Sequence, residues 1–399
     1  MDALSDYEVI IVGAGPASGS AAYFLAQAGK RVLVLEKESL PRYKACGGGL
    51  SAGMLAQFPF SFEPTIETCI HSVTYALGNR SIRVPLPEGA ICMVMRDQFD
   101  AYLLANSAVD LRQGVYVRRV TELDDRVVVE TRDGERFESR YLIGADGANS
   151  IVARELGLRR ARNMVAAIEA EVSVPEAVYQ RFNGNPLFVF GELRFGYLWV
   201  FPKAEHLSVG IAALHPERGQ LQATLARVMA RYDITLNGAE VHGHPIPIYL
   251  RREQIGTPRS LLVGDAAGLV DPLTGEGIRF AIKSGRLAAE AILSGHPERY
   301  PRLVQRKIGF SHSLGALLAY AFYRFPRTSF ILGVCNPFAT SAFVDLLADR
   351  VDYPEVYLRL FGTLPVYLLV EGLAGLASLA AGPKGRQRIR AAFYPSLSR

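Results

Sequence analysis

Apolar and polar positions fall into three textures along the chain. The first begins at residues 9–12, VIIV, an unbroken and partly β-branched apolar run that predicts a strand buried on both faces. Gly13-Ala14-Gly15 turns the chain. Residues 16–29 then place apolar side chains at Ala21, Phe24, Leu25 and Ala28, which predicts a helix. A second strand is expected at 31–35 and a short helix at 96–104. Strands are expected at 115–119, 127–131, 136–138 and 141–144, with Asp133-Gly134 as a turn, and a helix at 150–156.

From residue 163 the texture changes. Residues 165–174, 186–193, 197–202 and 207–214 alternate like strands of an antiparallel sheet, and 217–232 reads as one amphipathic helix. A strand at 260–263 and a helix at 278–292 return to the first texture. Beyond Pro301 the chain is helical and apolar in three stretches, 310–325, 329–348 and 360–382. None is expected to be a clean membrane span of about twenty uninterrupted apolar residues. Pro337 breaks the second stretch, and Pro365 and Glu371 interrupt the third.

The strand–turn–helix at the start carries the clearest chemistry. Gly13 permits the tight turn, and Gly15 has no side chain to keep a phosphate away. Pro16 and Ala17 open a helix whose free N–H groups and positive dipole end suit a pyrophosphate. Glu36 ends the second strand 23 positions past Gly13, where a ribose-binding carboxylate belongs. The usual third glycine is Ser18, which is still small enough for helix and strand to pack. Lys37 then opens a loop, KESLPRYKACGGGL, whose run of glycines can lie flat against a planar ligand. The expected fold class is therefore α/β. A Rossmann-like nucleotide-binding domain occupies 1–162 and 256–300, an inserted antiparallel-sheet domain (α+β) occupies 163–255, and an apolar helical region follows at 301–399.

Composition adds a surface to this picture. Hydrophobic residues make up 49% of 399 and charged residues 21%, which suggests an apolar cavity or a membrane-facing surface. The net charge is +5, and the tail KGRQRIR at 384–390 is basic after an apolar stretch, so a membrane surface is a candidate partner. No motif supports nucleic acid. Cys46, Cys69, Cys92 and Cys335 lack CxxC spacing, which fits a reducing compartment and argues against a metal site. His242-x-His244 has no third ligand nearby. The acidic start MDALSDYE has no signal-peptide pattern, so the expected location is cytoplasmic and peripheral at a membrane.

Three turns, each after a strand, complete the constellation: Gly13-Ala14-Gly15, Gly144-Ala145-Asp146-Gly147 and Gly264-Asp265. In this order, with Glu36 between them, they resemble the FAD-dependent oxidoreductases of the para-hydroxybenzoate hydroxylase-like class. PRYKACGGGL at 41–50, RDQFDAYL at 96–103, YLWVFP at 197–202 and GDAAGLVDPLTGEGI at 264–278 resemble the geranylgeranyl reductase family. The resemblance covers residues 5–300; the C-terminal part is similar in character only.

The resemblance implies the following roles. Gly13 and Gly15, with Pro16 and Ala17, meet the FAD pyrophosphate, and Glu36, beside Lys37, takes the adenosine ribose. Arg96 lies near the ribityl-phosphate side, Asp146 belongs to the motif that braces the cofactor and any nicotinamide donor, and Gly264-Asp265 holds the ribityl–pyrophosphate. Gly275, Gly277 and Ile278 turn backbone N–H groups toward the N1–C2=O end of the flavin. Cys46, Gly47 and Gly48 approach the isoalloxazine, and Tyr197, Trp199 and Phe201 line the substrate cavity. Cys46 and Tyr197 are the candidate catalytic proton donors.

The implied activity is saturation of isolated C=C bonds in a geranylgeranyl or other polyprenyl chain on a lipid, pigment or quinone. NADPH or a reduced ferredoxin or flavodoxin, as a redox partner protein, would supply the electrons. An isolated alkene is unpolarised, so protonation at one carbon must accompany hydride delivery to the other, in a dry site that holds the bond in place. Two alternatives share the cofactor motifs: a flavin-dependent monooxygenase of aromatics or quinones, and a non-redox cyclase of the lycopene-cyclase type.

Overall fold

Tyr7–Val12 is an inner strand of a seven-stranded sheet, flanked in parallel by Val32–Leu35 and Arg136–Gly144. The computed structural model that shows this describes residues 7–161 and 163–393. Val9 to Val12 are at most 5% exposed, as an apolar run without alternation requires. Helices Pro16–Gln27 and Ile278–Leu293 pack on each other at Gly285, where an added Cβ would lie 2.2 Å from the Ala17 carbonyl oxygen.

The expected strands 136–138 and 141–144 are one strand, Arg136–Gly144. The polar pair Ser139-Arg140 before the apolar run at 141–143 marks a change of partner, not a turn. Up to Ser139 the strand pairs antiparallel with Val127–Thr131; from Leu142 it lies parallel to Ser260–Leu262.

The second sheet also has seven strands, in the order Val241–Pro247, Met164–Val172, Leu207–Ala213, Gly196–Pro202, Leu187–Phe190, Ser72–Leu77 and Arg80–Pro85. Five come from the segment expected to form the inserted domain. The last two come from the first 162 residues, where the pattern predicts no element between 51 and 95. That corrects the boundary: 1–162 is not wholly nucleotide-binding, because the chain crosses to the second sheet and returns. Parallel pairing of Leu187–Phe190 with Ser72–Leu77 makes the join. Ser72–Leu77 mixes buried and half-buried positions without alternation, and Arg80–Pro85 is mostly exposed, so neither shows a clean strand pattern.

Phe310–Arg324, Pro337–Leu347 and Tyr353–Phe393 form the C-terminal helices. They are tied to the loop that precedes helix Ile278–Leu293. The Tyr353 hydroxyl donates to Asp271 (2.9 Å), the Tyr323 hydroxyl to the Leu273 carbonyl (2.9 Å), and Arg279 to the Leu346 carbonyl (2.7 Å) and Asp349 (3.1 Å).

The expected interruption at Pro365 and Glu371 does not occur. Pro365 sits inside the last helix, and Tyr353–Ala380 is long and apolar enough to cross a membrane by length and composition. Proline removes one backbone bond, but the neighbouring Leu364, Tyr367 and Val370 join a cluster with Leu332, Phe338 and Ile389 that holds the helix together. Glu371 is neutralised by Arg386 (3.1 Å) and Arg390 (2.6 Å). A straight helix of 19 residues would separate Glu371 from Arg390 by about 28 Å. The chain therefore doubles back, and Gly382 at φ +62° is where it turns. Part of the basic tail is thus spent on an internal acid.

Gly285→Ala is expected to push the two nucleotide-side helices apart. A loss of about 1–3 kcal/mol is the usual size of an overpacking defect, and thermal unfolding followed by circular dichroism measures it as a lowered Tm.

Candidate functional site

The three turns and the glycine loop border one cavity of about 1110 Å³. At the nucleotide end the first and second turns touch. Gly13 has φ +100°, and a Cβ there would lie 2.5 Å from the Ala145 carbonyl oxygen, so no other residue fits. Beside them two guanidinium groups share one buried carboxylate. Arg96 binds Asp100 at 2.8 and 2.7 Å, and Arg42 binds it at 3.1 Å. Two cations on one anion leave a net positive charge next to the N-terminus of helix Pro16–Gln27. An added Cβ on Gly15 would stand 3.8 Å from Arg96 Nη2 and 4.0 Å from Arg42 Nη2. That open cradle, with its cations and helix N-terminus, fits a pyrophosphate. Glu36 is 4% exposed and accepts from the Ala14 (2.6 Å) and Glu38 (3.0 Å) N–H groups, which braces the turn from the second strand. Lys37, mostly exposed, sits at the rim beside Glu38.

Further along, Asp265 faces Lys44 at 3.7 Å and His244 at 3.9 Å. Burial alone would raise its carboxyl, but Lys44, His244 and Arg96 bring it down to about 2. Burial and the nearby Arg96 lower the Lys44 ammonium. Gly277, where a Cβ would sit 3.6 Å from Asp265 Oδ1, precedes the helix that starts at Ile278. Asp146 borders the same cavity, but its carboxylate turns into the fold. It accepts from Ser150 Oγ (2.5 Å) and from the Ile151 (2.7 Å) and Val152 (3.2 Å) N–H groups, capping helix Ile151–Glu155. Its side chain holds that helix in place, so the implied contact with a cofactor falls to the backbone of the turn.

The CGGG loop is pinned by a buried lysine. Lys203, fully buried, donates to the Gly47 (2.8 Å) and Val94 (2.9 Å) carbonyls. Gly48 has φ +70°, and a Cβ there would lie 2.0 Å from the Val94 carbonyl oxygen. The Cys46 sulfur accepts from the Gly48 N–H at 3.4 Å and is in contact with the Arg96 guanidinium.

The far half of the cavity is aromatic. Phe188, Phe190, Tyr197, Trp199 and Phe201 come from the second sheet, and Phe322, Tyr323 and Phe343 from the C-terminal helices. Trp199 is 6% exposed, and its indole N–H has no hydrogen-bond partner among the described residues. The Tyr197 hydroxyl donates to the Thr274 carbonyl (2.9 Å), and burial pushes its pKa above the ordinary phenol value. It holds the loop before Gly275. His242 and His244 separate: the first ring lies against Tyr43 and the second faces Asp265. No group of three or more potential metal ligands is found among the described residues.

All the cofactor and substrate residues expected from the sequence border this one cavity except Gly264. Gly264 lies in the turn just before Asp265, with its N–H bonded to Ser284. Arg42, Lys44, Asp100, Glu169 and Lys203 were missed. Arg42 and Lys44 stand just before the glycines in RYKACGGG, which is a usable signal. Glu169 and Lys203 left none: in IEAEV the acids alternate with apolar residues, as they would on a solvent face.

A family model described as an FAD binding domain matches residues 6–294. An uncharacterized protein of Methanosarcina barkeri is 35% identical over 299 residues, 74% of this chain and 76% of its own length. The chloroplastic geranylgeranyl diphosphate reductase of Oryza sativa subsp. japonica is 30% identical over 311 residues, 72% of this chain and 66% of its own length. A menaquinone reductase of Mycolicibacterium smegmatis is 29% identical over 343 residues, 78% of this chain and 83% of its own length. The solved structure of a geranylgeranyl bacteriochlorophyll reductase-like protein from Thermoplasma acidophilum superposes with a TM-score of 0.72 at 24% identity, covering 98% of this chain and 97% of that one. It shares the fold.

Arg96→Ala should release the cofactor while leaving the fold intact. A charge-assisted hydrogen bond contributes about 1.5–3 kcal/mol, so FAD affinity should fall roughly tenfold to a hundredfold, measured by the flavin absorbance retained after gel filtration.

Proposed function

Because this chain belongs to the geranylgeranyl reductase family of FAD-dependent oxidoreductases, we propose that it saturates isolated C=C bonds in a polyprenyl chain carried by a lipid, pigment or quinone. One observation carries this reading: a single cavity runs from the nucleotide turns, past the CGGG loop, into an aromatic half closed by the C-terminal helices. Sites for one drug-sized ligand measure about 300–1,000 Å³. The volume here is above that range, and its polar and aromatic ends suit two ligands of different polarity.

Bound FAD, once reduced, supplies a hydride. Gly13, Gly15, Pro16, Ala17, Arg42 and Arg96 would hold its pyrophosphate, with Glu36 and Lys37 on the adenosine side. Lys44, Asp265 and the turn at Gly275, Gly277 and Ile278 would hold the ribityl side. Cys46, Gly47 and Gly48 would lie along the ring system. The chain's own work is to exclude water, hold the alkene and deliver a proton. Trp199, Tyr197 and Phe201 present π-faces to the double bond and favour positive charge that develops on carbon. Cys46 Sγ, at the junction of the two halves, donates the proton. The electrons come from NADPH or from a reduced ferredoxin or flavodoxin.

The substrate enters from a membrane surface on the cytoplasmic side. Fourteen of the nineteen exposed large apolar side chains among the described residues lie after residue 309. Leu358, Phe361, Leu369, Leu376 and Leu379 stand out from the Tyr353–Ala380 segment, of whose most apolar window only 17% is buried. The last 90 residues carry nine Lys and Arg against five Asp and Glu, which suits anionic lipid. Phe310–Arg324 exposes Leu317 and Tyr320 on one side and lines the cavity with Phe322 and Tyr323 on another. A prenyl tail in the bilayer therefore has a short path inward.

Mass spectrometry of lipid extracts from a host making geranylgeranylated lipids, with and without this protein, tests the activity. A gain of about two mass units per reduced bond is expected. A gain of about sixteen would point to a hydroxylase, and an isomeric product to a cyclase. Cys46→Ala should lower turnover about a hundredfold, the usual weight of a positioned acid, with FAD retained. The double variant Leu369→Glu, Leu376→Glu should bind anionic vesicles at least tenfold less in a flotation assay, at unchanged Tm.

A further inference from the structure

Saturating an alkene consumes a proton inside a wall that excludes water, so every turnover needs a way for a proton to cross it. The inference below rests on the reductase reading. The wall is acidic at one place beside the CGGG loop. Glu169, on the strand Met164–Val172, is 3% exposed and borders the cavity. Its carboxylate accepts from the Tyr43 hydroxyl at 3.0 Å and from the backbone N–H of Cys46. Tyr43 is 43% exposed. Tyr43 also borders the cavity, so its ring lies at the accessible rim while its hydroxyl is bonded inside. Solvent, Tyr43, Glu169 and the Cys46 corner of the cavity lie in sequence.

The surroundings do not neutralise this acid by pairing it. On its own strand Glu171 faces His206 at 2.9 Å. From the loop come Tyr43 and Cys46. From the neighbouring strand comes His242, opposite Glu169 and in ring contact with Tyr43. From the hairpin comes Lys203, engaged with two carbonyls. Across the other edge stands Gly210, which has no charge. Burial and then Glu171 raise the Glu169 carboxyl to about 7, against the Cys46 N–H, Tyr43 and Lys203, which lower it. An acid raised toward neutrality, between an accessible phenol and the backbone of Cys46, is suited to passing protons.

We propose that Tyr43 and Glu169 form the proton-entry route that reloads Cys46 after each reduction. The alkene carbon takes the proton of Cys46 Sγ, so an S–H bond breaks as a C–H bond forms. The thiol is restored as the Glu169 O–H breaks, and Glu169 regains a proton from the Tyr43 hydroxyl, which takes one from water. No electrons move along this route; both electrons of the reduction travel with the hydride. Glu169 acts through Cys46 and is a positioning residue for the proton.

Glu169→Gln keeps the shape and the acceptor but cannot exchange a proton. Infrared difference spectra of the FAD-loaded protein without substrate, titrated from about pH 5 to 9, should show a protonated carboxyl band that titrates near pH 7 and is missing from Glu169→Gln. A wild-type protein without that band overturns the relay whatever the substrate. In turnover on a geranylgeranylated lipid, wild-type kcat should fall as the pH rises through about 7, when Glu169 loses its proton. Glu169→Gln should be at least tenfold slower and lose that inflection with unchanged flavin absorbance, Glu169→Asp should recover part of the rate, and Tyr43→Phe should be slowed less. Wild-type turnover and pH profile in Glu169→Gln also overturn the relay. A titrating band with no saturation of any prenyl chain overturns the reductase reading and with it the purpose of the route.

Discussion

A buried ammonium fixes the glycine loop against the second sheet. Lys203 leaves the second sheet and ends on the carbonyls of Gly47 and Val94, both in segments that belong to the first half of the chain. A lone cation in such a place would lose several kcal/mol of hydration. The two carbonyls and the field of Glu171, Glu169 and Glu67 offset that loss, although burial still lowers the lysine below its ordinary value. The geometry that satisfies this charge is also what holds the glycine loop flat. Gly48 can meet Val94 and Lys203 only because it has no side chain. The flatness of the loop, the position of Cys46 and the junction between polar and aromatic halves of the cavity all follow.

The polar half works by converging charge. Asp100 gathers Arg42 and Arg96, and Asp265 faces Lys44 and His244, so Arg42, Arg96 and Lys44 stand beside the turns where an anionic dinucleotide belongs. The aromatic half works by removing water. Its walls come from a sheet built of two chain segments and from helices at the far end of the chain. Those helices grip the loop before Ile278 through Tyr353 and Tyr323, and the first turn of the helix through Arg279, three polar links that tie the apolar outer surface to the cofactor side. An apolar face that touched lipid would thus be mechanically continuous with the floor of the site.

Local signals were legible where a short run of chain makes its own structure. The VIIV strand, the Gly13-Ala14-Gly15 turn, Glu36 at the end of the next strand and the strand-ending turns at Gly144 and Gly264 each depend on a few adjacent residues. Their backbone geometry could be read before any contact was known. YLWVFP could be read as a strand facing an apolar space because its aromatic residues alternate. The merging of 136–138 with 141–144 could not, because a change of strand partner looks the same as a turn in a sequence. Pro365 inside a helix was also hidden, because the packing of Leu364, Tyr367 and Val370 outweighs one lost backbone bond.

The sequence by itself determined the cofactor half's turns and its FAD-binding fold, because backbone conformation at glycine and the ends of strands is a local property. Tertiary structure alone decided which side chains became chemical. Asp146 looked like a cofactor ligand and became a helix cap. Tyr197 looked like an acid and became a brace. Glu169 and Lys203 looked like surface charges and became the buried groups around Cys46. The physical reason is that burial sets the proton affinity and the pairing of a charge, and burial is made by strands and helices that are distant in sequence.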